Sequence, residues 1–94
     1  MNWQIVLTSK AQEDLAVLSS EVRDVIVSTI EKKLTLEPEK YGGYLRGKLK
    51  RYLKLKVMDY RVVYRIEKQI ITVIVIAIGP RRNNEVYIEA EKRV

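Results

Sequence analysis

The fold of this 94-residue chain is decided by residues 52–79, YLKLKVMDYRVVYRIEKQIITVIVIAIG. In its first two segments, at about 52–57 and 60–67, apolar and polar residues alternate with the two-residue period of a half-buried strand. The third segment, 70–79, is dominated by β-branched residues, which favour strands. The connections between the segments are too short for anything but antiparallel neighbours. The stretch therefore predicts a three-stranded antiparallel meander.

The residues before the meander predict one strand and two helices. Apolar side chains alternate over residues 3–7, which indicates the strand. Ser9 and Gln12 have the spacing of a capping box, so a first helix is expected over about 10–18. Apolar residues at i, i+4 spacing over 22–34 indicate a second helix that pairs with the first in a hairpin.

Residues 37–43 form a charged connector that closes with two glycines. Pro38 disfavours a helical residue before it, so the second helix should stop near Leu36. The tail over 84–94 carries apolar residues at helical spacing and predicts a short C-terminal helix. The expected fold class is α+β in one domain, 1–94: an N-terminal strand, a helical hairpin, the antiparallel three-stranded meander and the short C-terminal helix.

Composition excludes several chemistries. Cysteine and histidine are both absent, which excludes disulfides, a thiolate nucleophile, a zinc–thiolate site and an imidazole base. No basic flank followed by an apolar core opens the chain, and the longest apolar run, 70–78, is about half of a membrane span. We therefore expect a soluble, unprocessed protein of the cytoplasm that needs no membrane, cofactor or metal.

The net charge of +6 belongs to the second half of the chain. Residues 41–94 hold thirteen Lys or Arg against five acids, and residues 44–65 hold eight against a single acid, Asp59. Such a density attracts a polyanion, because binding releases the counterions of the polyanion. Composition alone leaves two alternatives open, contact with nucleic acid and a basic face that serves solubility or binds an acidic protein.

Strand parity predicts where the cations of the meander point. Side chains two residues apart share a face, so an apolar set packed on the helical hairpin sends four cations to the opposite, open face: Lys54, Lys56, Arg61 and Arg65. Tyr60, Tyr64 and Trp3 are expected to pack in the core. The third strand is apolar on both faces and needs a cover, which could be the C-terminal segment, a stacked base or, as we favour, a partner protein.

These elements, in this order, resemble the RelE family of bacterial and archaeal toxins within the RelE/ParE superfamily. The resemblance covers nearly the whole chain and rests on four pieces: the Leu-Arg-Gly element at 45–47, the Lys-Leu-Lys strand at 54–56, Asp-Tyr-Arg-Val-Val-Tyr at 59–64, and the Gly-to-Tyr segment at 79–87. It implies a RelE-like fold of the microbial-ribonuclease kind. Departures from the family pattern are Pro80 and Arg82, which flank Arg81, and Met58, which stands where many relatives have a small turn residue.

The resemblance implies an mRNA interferase that enters the ribosomal A site, cleaves the message, stops translation and is held inactive by a cognate antitoxin. The family's catalytic positions carry over to Lys54, Lys56, Arg61, Arg81 and Tyr87. The other cations near them are expected to grip RNA electrostatically: Arg46, Lys48, Lys50, Arg51, Arg65 and Arg82.

The residue types also suit the chemistry. Cleavage by the neighbouring 2′-hydroxyl needs a base, charge stabilisation and an acid for the leaving 5′-oxygen, but no metal. Tyr87 or a lysine could be the base where neighbouring cations favour the deprotonated form. Arg61 and Arg81 match phosphate geometry and suit stabilisation. The acid is left open among the lysines, water and the ribosome.

Two other functions remain as alternatives. One is a ParE-like toxin that inhibits DNA gyrase by binding, without RNA cleavage; the other is a degenerate toxin that binds only an antitoxin or operator DNA. The expected antitoxin is acidic and partly disordered, and it would fold onto the basic, apolar-striped surface. Its candidate dock is the outward face of the third meander strand.

Overall fold

The computed structural model describes residues 2–94, in which five strands form one sheet with helices on both of its faces. The strands are β1 Gln4–Leu7, β2 Gly43–Tyr44, β3 Leu53–Val57, β4 Tyr60–Glu67 and β5 Thr72–Pro80. The helices are α1 Ser9–Ala16, α2 Ser20–Leu34, α3 Pro38–Tyr41 and α4 Glu85–Lys92. None of the helices in residues 2–94 is long and apolar enough to cross a membrane.

The strand order is β1-β5-β4-β3-β2, and only β1 runs parallel to its neighbour. The predicted meander is confirmed as β3, β4 and β5. The third strand begins two residues later than predicted, because residues 68–70 form a 3₁₀ turn and Ile71 takes a left-handed conformation with φ 49°. The edge strand β2 was not predicted, since two residues are too few to show a period.

The helical hairpin is confirmed, with different ends. The N-cap of α1 is Thr8 rather than Ser9: the Thr8 hydroxyl accepts the Ala11 N–H at 3.2 Å, while the Gln12 side chain donates to the Leu7 carbonyl. The predicted capping box is therefore wrong by one residue. The second helix, α2, ends at position 34, two residues before the predicted stop, and the charged connector contains the single turn α3.

The main core lies between the sheet and the helical hairpin. Tyr64 is fully buried in it, and its hydroxyl donates a hydrogen bond of 2.6 Å to the Pro38 carbonyl, which ties α3 to the sheet. Trp3 and Tyr60 pack partly buried against the same core, as predicted. The other buried members are Ala11, Leu15, Ile26, Ile30, Leu34, Leu53, Leu55, Val57, Val62, Val73, Val75 and Ile78.

A second apolar cluster lies on the other face of the sheet, under α4. It consists of Leu49, Val63, Ile76, Ala77, Val86 and Ala90. A bulge opposite Val63 and Tyr64 lets both Ile76 and Ala77 face this side. The expectation that a partner protein covers the third strand is therefore wrong here, because α4 of the same chain is the cover. The antitoxin dock predicted on this face stays a prediction. The C-terminal helix itself is confirmed, although Val94 lies beyond it and is exposed.

A buried ion pair joins α1 to the end of α4. The Arg93 guanidinium donates to both Asp14 carboxylate oxygens, at 2.7 and 3.0 Å, and these side chains are only 13 % and 19 % exposed. The pair also contacts the edge of β5 where β1 has ended: the Ile78 N–H donates to Asp14 at 2.9 Å, and Arg93 donates to the Ile76 carbonyl at 2.8 Å. Two side chains thus replace strand hydrogen bonds on the uncovered half of β5.

Gly42 and Gly43 form a matched pair for a test of packing at the β2 edge. A Cβ at Gly42 would lie 1.8 Å from the buried Tyr64 hydroxyl oxygen, whereas a Cβ at Gly43 would meet only Lys54 Cε at 3.7 Å. We expect Gly42→Ala to lower the free energy of unfolding by about 2 kcal/mol or more, as overpacking does. Gly43→Ala should change it by less than about 1 kcal/mol. Urea unfolding of both variants checks this, and equal losses would contradict the packing.

Asp14→Ala tests the ion pair, with Glu13→Ala as the control from the same helix. Removal of Asp14 leaves the largely buried Arg93 with only the half-exposed Glu89 carboxylate, 3.4 Å from its Nε, so we expect a loss of up to about 3 kcal/mol, the low end for a broken buried pair. Glu13 is exposed and should be replaceable at a cost below about 0.5 kcal/mol. Urea unfolding near neutral pH measures both, and similar midpoints would show that the pair contributes little.

Tyr64→Phe tests the buried hydroxyl through pH. Burial raises the pKa of Tyr64 above its usual 10.0, so the folded chain holds this proton more tightly than the unfolded chain. The stabilising contribution is complete below pH 10.0 and is lost as the pH rises above it. At neutral pH the variant should be less stable than the native chain by about 1 kcal/mol, because it lacks the hydrogen bond to the Pro38 carbonyl. As the pH rises from about 9 to 11, its free energy of unfolding should fall by less than that of the native chain. Urea unfolding midpoints of the native chain and the variant, at neutral pH and across that alkaline range, test this. Tyr41→Phe, which changes an exposed tyrosine, is the control.

Candidate functional site

Lys54, Lys56 and Arg61 share the α4 side of the sheet. In the β3–β4 register Lys54 lies opposite Val63, and Lys56 lies opposite Arg61. Residues that are directly opposite share a face, and Val63 belongs to the cluster under α4. The predicted face of these cations is confirmed. Both lysines are exposed, and neither forms an ion pair within residues 2–94.

Arg61 lies on the predicted face but does not project freely from it. It is 8 % exposed, and its Nη1 donates to the Met58 carbonyl at 3.2 Å and to the Tyr60 carbonyl at 2.8 Å. Met58 stands in the two-residue turn between β3 and β4 with φ 53°, a conformation that costs a residue with a side chain about 1–2 kcal/mol. The guanidinium therefore braces a strained turn.

Arg81 follows β5 directly and lies beside the same turn. Its N–H donates to the Asp59 carbonyl at 2.9 Å, while its side chain is exposed. A cleft of about 350 Å³ opens here between the β3–β4 turn and the segment that follows β5. Its lining residues are Asp59, Tyr60, Pro80, Arg81 and Arg82. Sequence reasoning missed Asp59 and Tyr60 as cleft residues; the shortness of the predicted turn was the available signal.

The loop from Arg81 to α4 fixes where Tyr87 lies. Asn83 and Asn84 both adopt left-handed conformations, with φ 54° and 56°, which asparagine tolerates better than most residues. This reverses the chain into α4. Tyr87 is the third residue of α4 and is partly buried against the cluster that contains Val63 and Ala77. The structure thus brings the five predicted catalytic residues to one side of the sheet.

The predicted RNA-gripping cations fall into two groups. Arg46, Lys48, Lys50 and Arg51 lie exposed in the β2–β3 connection, which buried Leu49 anchors, and none forms an ion pair within residues 2–94. Arg65 and Arg82 are paired instead, with Glu67 at 2.8 Å and with Glu85 at 3.3 Å. The hydrogen bond that Arg65 donates to Glu67 raises the pKa of Arg65. Arg65 is the fourth residue after Arg61 along β4, so it lies about 13 Å from the Arg61 turn.

Known proteins resemble this chain over most of its length. The family model described as "ParE toxin of type II toxin-antitoxin system, parDE" matches residues 5–85. The mRNA interferase toxin RelE of Escherichia coli K12 is 34% identical over 86 residues, which cover 90% of this chain and 90% of that protein. The mRNA interferase RelE of Shigella flexneri matches to the same extent.

Solved structures agree with the sequence comparison. The isolated E. coli RelE toxin superposes with a TM-score of 0.72 at 28% identity, covering 97% of each chain. A chain of the RelBE2 toxin–antitoxin complex from Mycobacterium tuberculosis superposes with a TM-score of 0.79 at 26% identity, covering 86% of this chain and 100% of that one. The chain therefore belongs to the RelE/ParE family of toxins from type II toxin–antitoxin systems.

Proposed function

We propose that this chain is the toxin of a toxin–antitoxin system and acts as a ribosome-dependent endoribonuclease that cleaves mRNA in the ribosomal A site. One observation carries the proposal. Lys54, Lys56, Arg61, Arg81 and Tyr87 gather on one side of the sheet in a chain that is 34% identical to an mRNA interferase. Four cations and a phenol on one side of the sheet suit cleavage of a phosphodiester.

Arg61 and Arg81 are proposed to stabilise the negative charge that grows on the phosphate during the reaction. Both sit on braced backbone: Arg61 through its bonds to the turn carbonyls, and Arg81 through its N–H bond to Asp59. Donors that are fixed before the reaction stabilise a transition state without reorganisation at that moment. Nη1 makes both Arg61 hydrogen bonds, which leaves Nε and Nη2 with no partner within residues 2–94.

Lys54, Lys56 and Tyr87 are proposed to handle the protons. The 2′-hydroxyl gives up its proton and its oxygen attacks phosphorus, and the departing 5′-oxygen takes up a proton. The lysines carry exposed charges with no ion pair within residues 2–94. Burial of part of the Tyr87 ring against the second cluster fixes its position on the same side of the sheet.

RNA binding is assigned to the outlying cations. Within residues 2–94, Arg46, Lys48, Lys50 and Arg51 have no ion pair to break before they contact phosphate. The Arg82–Glu85 pair is a surface pair, which contributes at most about 1 kcal/mol. Arg65, with 38% of its side chain exposed, forms a similar surface ion pair with Glu67. Exchange of these carboxylates for RNA phosphates therefore costs little.

The proposal includes a partner and a compartment. The partner is a cognate antitoxin, acidic and partly disordered, whose charge complements the basic half of the chain. The M. tuberculosis relative was solved in a toxin–antitoxin complex. The proposed action on the ribosome supports the cytoplasm as the compartment, and a chain without cysteine suits that reducing environment.

Arg81→Ala and Tyr87→Phe test the assignment, with Arg82→Ala as the matched control. Loss of one charge-stabilising donor should slow cleavage about 100-fold or more. Removal of the Tyr87 hydroxyl should slow cleavage strongly while the ring keeps its packing. Arg82→Ala should stay within about tenfold of the native rate, since it removes one electrostatic RNA contact and a surface ion pair but none of the proposed catalytic groups. Primer extension on a defined message in a purified translation system measures each rate.

The same assay without ribosomes tests the ribosome dependence. Cleavage confined to A-site codons of ribosome-bound message supports the proposal, and native rates in both Arg81→Ala and Tyr87→Phe would refute it. Circular dichroism of each variant separates lost chemistry from lost fold.

A second candidate is inhibition of DNA gyrase by binding, and the match to the ParE family model favours it. The native chain can be added to a purified gyrase supercoiling reaction beside the translation assay. Inhibited supercoiling together with intact message would replace the first candidate by the second.

A further inference from the structure

An exposed aromatic strip lies at the β2 edge of the sheet, on the face opposite the candidate active site. Tyr44 pairs with Leu53, a member of the main core, so its side chain is on the side of the sheet that carries the α1–α2 hairpin. It is 59% exposed, and Tyr41, at the end of α3, is 43% exposed. Only two glycines separate the tyrosines, so their Cα atoms are at most about 11 Å apart.

Cations flank both rings. Lys33 Nζ lies 5.3 Å from the centroid of the Tyr41 ring, and Lys40 Nζ lies 5.6 Å from it. Arg46 follows Tyr44 by two residues and has an extended backbone, with φ −125° and ψ 175°, which favours the same side of the chain for both. Lys33, Tyr41, Tyr44 and Arg46 are called the β2-edge strip below.

The charges of the strip are available to a ligand. Neither Lys33 nor Arg46 forms an ion pair within residues 2–94, and the Lys40–Glu37 pair is exposed. The basic β2–β3 connection, also without ion pairs in the described residues, continues the positive surface beyond Arg46. Tyr44 belongs to neither apolar cluster, so the core does not account for its exposed ring.

Proteins bind single-stranded RNA with exposed aromatic rings and nearby cations: bases stack on the rings, and the cations contact the backbone phosphates. An extended peptide suits this edge poorly, because strand addition needs a run of free backbone groups and β2 has two residues. Charge and ring geometry both favour RNA over a protein strand.

We propose that the β2-edge strip is a second RNA-binding surface, at which Tyr44 stacks on an unpaired base while Arg46 and Lys33 contact phosphates. The inference rests on the proposed function for the identity of the polyanion as RNA. Flanking message and single-stranded segments of ribosomal RNA have the same chemistry, and separate probes distinguish them.

The test is binding at equilibrium, without cleavage. One probe is a fluorescent single-stranded 2′-O-methyl RNA of about 12 nucleotides, within the usual site size, which lacks the 2′-hydroxyl nucleophile; the other is the purified small ribosomal subunit. Tyr44→Leu should weaken binding to at least one probe about tenfold, and Tyr44→Phe should bind as the native chain does, because it keeps the ring. Arg46→Gln should lower the salt slope of oligonucleotide binding by about 0.7.

Val17→Ala, which changes a side chain 84% exposed just after α1, is the control and should leave both affinities unchanged. A loss with the oligonucleotide assigns the strip to message, and a loss with the subunit alone assigns it to ribosomal RNA. The proposal is overturned if Tyr44→Leu binds both probes as tightly as the native chain, if Tyr44→Phe fails as Leu does, or if the native chain binds neither. Message cleavage is measured in a separate assay. If the chain proves not to cleave mRNA, the binding result still tests the strip.

Discussion

The ion pair between Asp14 and Arg93 is the constraint on which the arrangement of the site depends. β1 pairs only with residues 72–75 of β5, so the second half of β5 would otherwise present an open edge. An unpaired backbone group in a buried place costs about as much as a lost hydrogen bond. Asp14 accepts the Ile78 N–H and Arg93 donates to the Ile76 carbonyl, which closes that edge with side chains. At Pro80 no N–H exists to be satisfied.

The same contact determines what covers the other face. Arg93 follows the last residue of α4, so the pair holds the end of that helix against α1 and β5. The helix then lies across Val63 and Ala77, buries Val86 and Ala90, and fixes the partly buried Tyr87 ring. Its start is fixed independently by the left-handed Asn83 and Asn84 and by the Arg81 N–H bond to Asp59. The positions of Arg81 and Tyr87 relative to β4 thus follow from contacts at the two ends of one short helix.

The parts of the fold that were predictable from the sequence are those with a local period. The bounds of β4 were predicted to the residue, and the parity of β3 and β4 placed Lys54, Lys56 and Arg61 on the correct face. The Asp14–Arg93 pair was beyond prediction, because it joins residues 79 apart and neither has a distinctive neighbourhood. The cover of β5 was misassigned because the position of α4 over the sheet depends on this distant contact. Arg61 was placed on the right face but not in its bracing role, since hydrogen bonds to turn carbonyls depend on a rotamer that strand parity does not determine.

The cations of this chain divide according to whether the fold itself uses them. Arg93 and Arg61 satisfy backbone carbonyls, Arg61 is buried and Arg93 is partly buried, so the fold depends on both. The six Lys and Arg of residues 46–56 find no carboxylate within residues 2–94, and neighbouring members repel one another. Self-repulsion of this kind destabilises a compact state. A ligand that neutralises it binds the folded chain and not the unfolded one, and stabilises the fold by mass action. An acidic antitoxin and an RNA phosphate chain would relieve the same repulsion, so the free chain is the least stable of its states.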